Sequence, residues 1–193
     1  RRQRQMCIRD RIRSQLDVKR KNGQFIGSFA GYGYQKDPEN KNHLIIDEYA
    51  AEIVRFIFNL KMGGYSSQRI ATKLNEMGVL PPLEYKRSRG MKYNSGFRSG
   101  ANPKWAVTTV NRILTNELYT GTMVQGKNRK INYKVKECRP VAEENWIRVE
   151  KTHEAIIAEE IFQYVQSLLE LDTRTAPDED SVYLFSGFLR CGD

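Results

Sequence analysis

The apolar positions fall into short periodic runs separated by Gly, Pro and polar clusters. Ile53, Ile57 and Leu60, widened by Val54 and Phe58, predict a helix over 48–62 with Asp47 as its N-cap. Gly63-Gly64 ends it, and Ser66 or Ser67 caps a second helix over 66–77, with Ile70, Leu74 and Met77 on one face. Gly78 stops that helix, and Pro81-Pro82 is expected to prevent its return. Val110, Ile113 and Leu114 predict a third helix over 107–118, opened by Trp105 and closed by Tyr119-Thr120-Gly121. Ile161, Phe162, Val165 and Leu168/Leu169 predict a fourth over 158–171. Ile12 and Leu16 mark 11–22 as the end of a helix, with Gly23 beyond its Lys/Arg-rich last turn.

Between these runs the pattern shortens. Residues 24–34 (QFIGSFAGYGY) are too Gly-rich for a helix and predict short extended pieces. Residues 43–46 (HLII), 146–149 and 183–190 are strand candidates. Residues 122–141 are basic and β-prone, with a turn at Gly126, and 83–104 is expected to be a long polar loop.

Charge changes this picture more than composition does. The 193 residues carry a net charge of +9. Residues 1–21 are net +7, 22–83 neutral, 84–139 net +10 and 140–193 net −8. Two basic blocks around a neutral one resemble a polyanion-binding footprint. The plainer alternative is a solvated Lys/Arg face. The sign change places a domain boundary near 125–145.

Other classes are excluded or weakened. No run approaches the roughly 18 apolar residues of a membrane helix. The Arg-rich N-terminus lacks a signal peptide's apolar stretch. Cys7, Cys138 and Cys191 are odd in number and widely spaced, which argues against a disulfide framework and for a cytoplasmic setting. His43 and His153 are the only histidines, and neither has metal or nucleophile spacing around it. No phosphate loop, Rossmann glycine pattern, HExxH or GxSxG occurs.

The first three helices suit a helix-turn-helix-like DNA reader, whose reading helix meets base edges in the major groove. Thr108, Thr109, Asn111 and Arg112 on the third helix are candidate base or phosphate contacts. Arg11, Arg13, Lys19 and Lys21, and Lys127, Arg129, Lys130, Lys134 and Lys136, are candidates to hold phosphates or enter a minor groove. Tyr32 and Tyr34 either stack on bases or fill the core with a polar tip.

The order KRKNGQFIGSFAGYGY, LIIDEYAAEIVRFIFNL, GYSSQRIATKLNEMGVLPP, Trp105, TVNRILTNELYTG, WIRVEKTHEAIIAEEIFQYVQSLL and LFSGFLRCGD resembles large serine recombinases of phages and mobile elements. Over about 11–193 it is similar to their recombinase domain and the start of their zinc ribbon. The resemblance implies an α+β fold. Its parts are the end of a linking helix (1–22), a mainly helical DNA-binding domain with a three-helix core and short strands (23–122), a basic linker (123–140) and a partial β-ribbon domain with one amphipathic helix (141–193). It further implies binding to a double-stranded attachment site and self-association of the full-length protein on DNA. Zinc is implied for the full-length protein, with Cys191 as the first ligand, and is not expected to be held by this chain. The family's catalytic domain and its nucleophilic serine have no counterpart here, so neither Ser14 nor Ser28 is assigned that role. Residues 1–10 do not match the family's approach to the linking helix, which leaves their being native or non-native open. A stand-alone DNA-binding regulator remains the alternative. An enzyme of another class would need a clustered acid, base or metal set, which the sequence lacks.

Overall fold

A computed structural model describes residues 2–91, 103–130 and 137–170. The first helix is longer than its apolar spacing suggested. It runs as α1 over Arg2–Lys21, so most of residues 1–10 belong to the same helix. Its end rests against residues 149–152: a Cβ at Gly23 would collide with Thr152 Cγ2. Two short strands follow, β1 (Tyr34–Lys36) and β2 (Leu44–Ile46), paired antiparallel with Tyr34 opposite Ile46.

Helix α2 spans Glu48–Met62 and buries Val54, Ile57, Phe58 and Leu60. Asp47 occupies the N-cap position but makes no side-chain cap bond, because its carboxylate is engaged elsewhere. It accepts the Tyr85 hydroxyl at both oxygens (3.0 and 2.9 Å) and lies 3.5 Å from Arg89. Helix α3 (Ser67–Glu76) is capped by Ser66, whose hydroxyl accepts the Arg69 N–H.

The expected loop after Pro81-Pro82 opens instead with α4 (Pro82–Ser88). Proline breaks a helix from inside. At its first turn the missing N–H costs nothing, and the fixed φ is already helical. Helix α5 (Val107–Leu114) buries Val110, Ile113 and Leu114 against α3 and α2. It stops four residues short of its expected end. Asn116 turns its side chain onto the Leu118 N–H and starts a separate 3-10 turn, Glu117–Thr120.

Elements on both sides of residues 125–145 pack together. Strand β3 (Met123–Gln125) pairs with β6 (Ile147–Val149), Met123 opposite Val149. Helix α6 (Glu159–Glu170) packs on α2, α5 and the 3-10 turn. One core joins Tyr32, Phe58, Leu114 and Tyr119 to Ile156, Phe162 and Val165. The change of charge sign therefore marks a change of surface, not of folding unit. Between β3 and β6 the chain forms a second ribbon, β4 (Asn128–Lys130) against β5 (Cys138–Pro140). The α+β class holds, with three two-stranded ribbons around a helical core among the described residues. The strand candidate at 183–190 lies outside them.

The 3-10 turn is the hub of this core. Its last residue leads into Gly121, at φ +83°, where a Cβ would stand 2.8 Å from the His153 carbonyl. The Tyr119 carbonyl accepts the Ile156 and Ile157 N–H groups at 2.9 and 3.0 Å. Its hydroxyl donates to the Tyr32 carbonyl at 2.9 Å. The early Gly-rich segment and the late residues 152–157 are thus tied to one turn.

Candidate nucleic-acid interface

Helix α5 has two chemically distinct faces. One, Val110, Ile113 and Leu114, is at most 5% exposed. The other carries Thr108, Asn111, Arg112 and Thr115, all exposed, at spacing i, i+3, i+4, i+7. Thr109 lies between them, half-buried. The helix holds no acidic residue, and Arg112 makes no ion pair among the described residues. An outward row of hydroxyl, amide and guanidinium groups is thus held by a fully packed inner face.

The basic residues expected to contact DNA from the first helix lie on α1. Arg11, Arg13, Lys19 and Lys21 are all exposed, while Arg20 is paired to Asp17. Their contact with a polyanion would be salt-dependent, since exposed charges are screened beyond about 8–10 Å at physiological ionic strength.

Lys127 sits at the root of the second ribbon, its ammonium 4.6 Å from the Trp146 ring centroid. Arg148 also lies on that ring, at 5.3 Å, while pairing with Glu117 and Glu143. Trp146 is itself fixed by its indole N–H, which donates to the Val141 carbonyl at 2.9 Å. The ribbon base is therefore anchored by cation–π contacts on one aromatic ring. Arg129 pairs with Arg139 across the ribbon, and Lys130 with Cys138. The side chains of Arg129 and Lys130, and all of Lys134, Lys136 and Cys191, lie outside the described residues.

The two tyrosines are a correction. Tyr32 and Tyr34 are 6% and 5% exposed and belong to the core, so neither ring is available to stack on a base. Tyr34 donates its hydroxyl to the Glu154 carbonyl at 2.8 Å and the Leu118 carbonyl at 3.3 Å. Its ring stacks on Tyr119 and meets His153 edge-on at 4.8 Å. Burial raises the pKa of both phenols. They are core aromatics with a polar tip, the plainer of the two readings.

His153 is structural as expected. Nε2 lies 2.7 Å from the Leu118 carbonyl, which can only accept, so Nε2 carries the proton. Nδ1 then accepts the Thr152 hydroxyl at 2.7 Å. Burial holds the imidazole below its ordinary pKa. No group of three His, Cys, Asp or Glu side chains able to hold a metal occurs among the described residues.

Three residues that sequence reasoning missed organise the site: Asn75, Tyr85 and Arg89. Arg89 reaches Asp47 and also donates to Gln35 at 3.2 Å, so it clasps α4 to the first ribbon. Asn75 bonds the backbone ahead of α5. Nothing in their spacing marks them, because these partners are 30 to 54 residues away.

The Recombinase family model matches residues 48–172, from α2 through α6. The chain belongs to the Recombinase family. The Recombinase match crosses the expected boundary, in agreement with the shared core. The uncharacterized protein YefB of Bacillus subtilis (strain 168) is 36% identical over 109 residues, covering 52% of this chain and 36% of YefB. A solved structure described as "Sequence Requirements of the Listeria innocua prophage attP site" has TM-score 0.52 and 22% identity, covering 89% of this chain and 57% of that one. Another, "Crystal Structure of a LSR-DNA Complex", has TM-score 0.53 and 18% identity, covering 92% and 43%. At these identities the two structures speak for the fold. The Recombinase chain thus spans 36–57% of the proteins it resembles. No described helix is long and apolar enough to cross a membrane.

Proposed function

We propose that this chain is the DNA-binding portion of a serine site-specific recombinase and recognises an attachment site for integration or excision. The observation that carries this is the two-faced α5, its inner side fully packed and its outer side a row of Thr108, Asn111 and Arg112. A rigid helix of this kind can present side chains to base edges without a backbone-ordering cost at the moment of binding. Arg112 can pair bidentately with a guanine edge and Asn111 with an adenine edge, each worth about 1–3 kcal/mol of discrimination. The exposed cations of α1 would hold backbone phosphates and set orientation without reading sequence. The basic residues of the segment 127–136, Lys127, Arg129, Lys130, Lys134 and Lys136, would follow the backbone or an adjacent minor groove.

Under the same reading the complete protein works in the cytoplasm and self-associates on DNA. Cys191 supplies one thiolate to a zinc ribbon there. One thiolate does not make a structural zinc site, so this chain alone is expected to hold zinc below one equivalent.

The test is a pair of variants. Arg112→Ala should relax preference at one base position and lower affinity for the preferred duplex by about tenfold. Lys19→Ala with Lys21→Ala should weaken all duplexes alike and flatten the salt dependence. If Arg112→Ala weakened every sequence equally, α5 would be a phosphate-positioning helix and the reading of base edges would be wrong.

A further inference from the structure

The N-terminal end of α5 is fixed from outside the helix. Its N-cap, Ala106, has no side chain able to cap it. One residue earlier, the Trp105 backbone is gripped by a single amide on α3. The Trp105 N–H donates to Asn75 Oδ1 at 2.8 Å, and Asn75 Nδ2 donates to the Trp105 carbonyl at 3.1 Å. The backbone N–H can only donate, so the amide orientation is determined. The Trp105 indole N–H donates to the Val79 carbonyl at 2.9 Å, just beyond the end of α3. Its ring is 3% exposed and meets Tyr32 edge-on at 5.7 Å, and Tyr32 meets Tyr85 at 5.6 Å. At its other end α5 is held by α6, where Gln166 donates to the Leu114 carbonyl at 2.8 Å.

Apolar packing alone fixes which face of α5 is buried, but it tolerates small slides along the axis. A reciprocal two-bond grip does not, because any slide breaks both bonds together. We propose that Asn75 is a positioning residue that sets the axial register of α5, and with it which base step Arg112 and Asn111 address. This deepens the DNA-reading function proposed above and rests on it. Asn75 itself contacts no base. It acts through the Trp105 backbone.

The experiment selects a random-sequence duplex library with the full 193-residue chain and with Asn75→Ala and Asn75→Asp. Asn75→Asp keeps the acceptor for the Trp105 N–H but sets an acceptor against the Trp105 carbonyl. Melting curves establish that each variant is folded, and amide hydrogen exchange is followed at Trp105. For a folded variant, the expected result is faster exchange at Trp105, a loss of about tenfold in the ratio of preferred to scrambled duplex affinity, and an unchanged salt slope. A merely stabilising residue would lower the melting temperature and leave that ratio intact, which would overturn the proposal. Should Asn75→Ala fail to fold, the same ratio read on Asn75→Asp decides. A wild-type chain with no sequence preference would instead remove the DNA-reading function and the register role with it.

Discussion

Phe162→Ala tests whether residues on either side of the basic segment form one folding unit. Phe162 lies on α6, is 6% exposed and packs against Phe58 of α2 with ring centroids 6.3 Å apart. Truncating a buried Phe to Ala costs about 3–5 kcal/mol, and the residual exposure of this ring favours the lower end. For a domain of this size each kcal/mol moves the melting temperature by roughly 2–4 °C, so a shift on the order of 6–12 °C is expected. The two tryptophans are well placed as reporters. Trp105 precedes α5, and Trp146 precedes β6, beyond the change of charge sign. In Trp146→Phe and Trp105→Phe backgrounds, each compared with its own parent, fluorescence-detected melting should show the same downward shift. Coincident transitions are the signature of two-state behaviour. A shift seen by Trp146 alone, with Trp105 unmoved, would mean that α6 belongs to a separate unit and that the shared core is wrong.

Two further predictions concern the core around the 3-10 turn. Tyr34→Phe removes donation to Glu154 and Leu118 and should cost about 1 kcal/mol of stability, while DNA affinity stays unchanged; reduced affinity at matched stability would return Tyr34 to the interface. For His153, burial depresses the folded-state pKa below the ordinary 6.5. The unfolded chain takes up a proton near that pH which the folded one refuses. Stability is therefore full above about pH 6.5 and falls on acidification, levelling off below the folded value. Urea midpoints between pH 8 and 5 should fall less steeply for His153→Gln than for wild type, and parallel curves would show that His153 contributes no linkage.

The helical elements were legible because their signals are local. The 3.6-residue periodicity located α2, α3, α5 and α6, and the exposed row on α5 is the complement of its buried stripe. Tertiary choices were not legible in the same way. Whether Pro82 breaks or begins a helix depends on where the chain turns. Whether Tyr32 and Tyr34 face solvent depends on Tyr119 and His153, more than 80 residues away. The charge blocks said nothing of the packing across residues 125–145, because charge governs the outside of a fold and Met123, Ile156 and Phe162 govern its inside. Asp47 shows both sides of this. Its residue type and position named an N-cap, yet Tyr85 and Arg89 offered its carboxylate stronger partners than the helix amides.

Selection of a random-sequence duplex library by the full chain at two salt concentrations tests the central claim most directly. The account predicts enrichment of a defined site at both concentrations, with total binding falling steeply as salt rises. Binding that is lost with salt and enriches no sequence, or no binding at low salt, would contradict it.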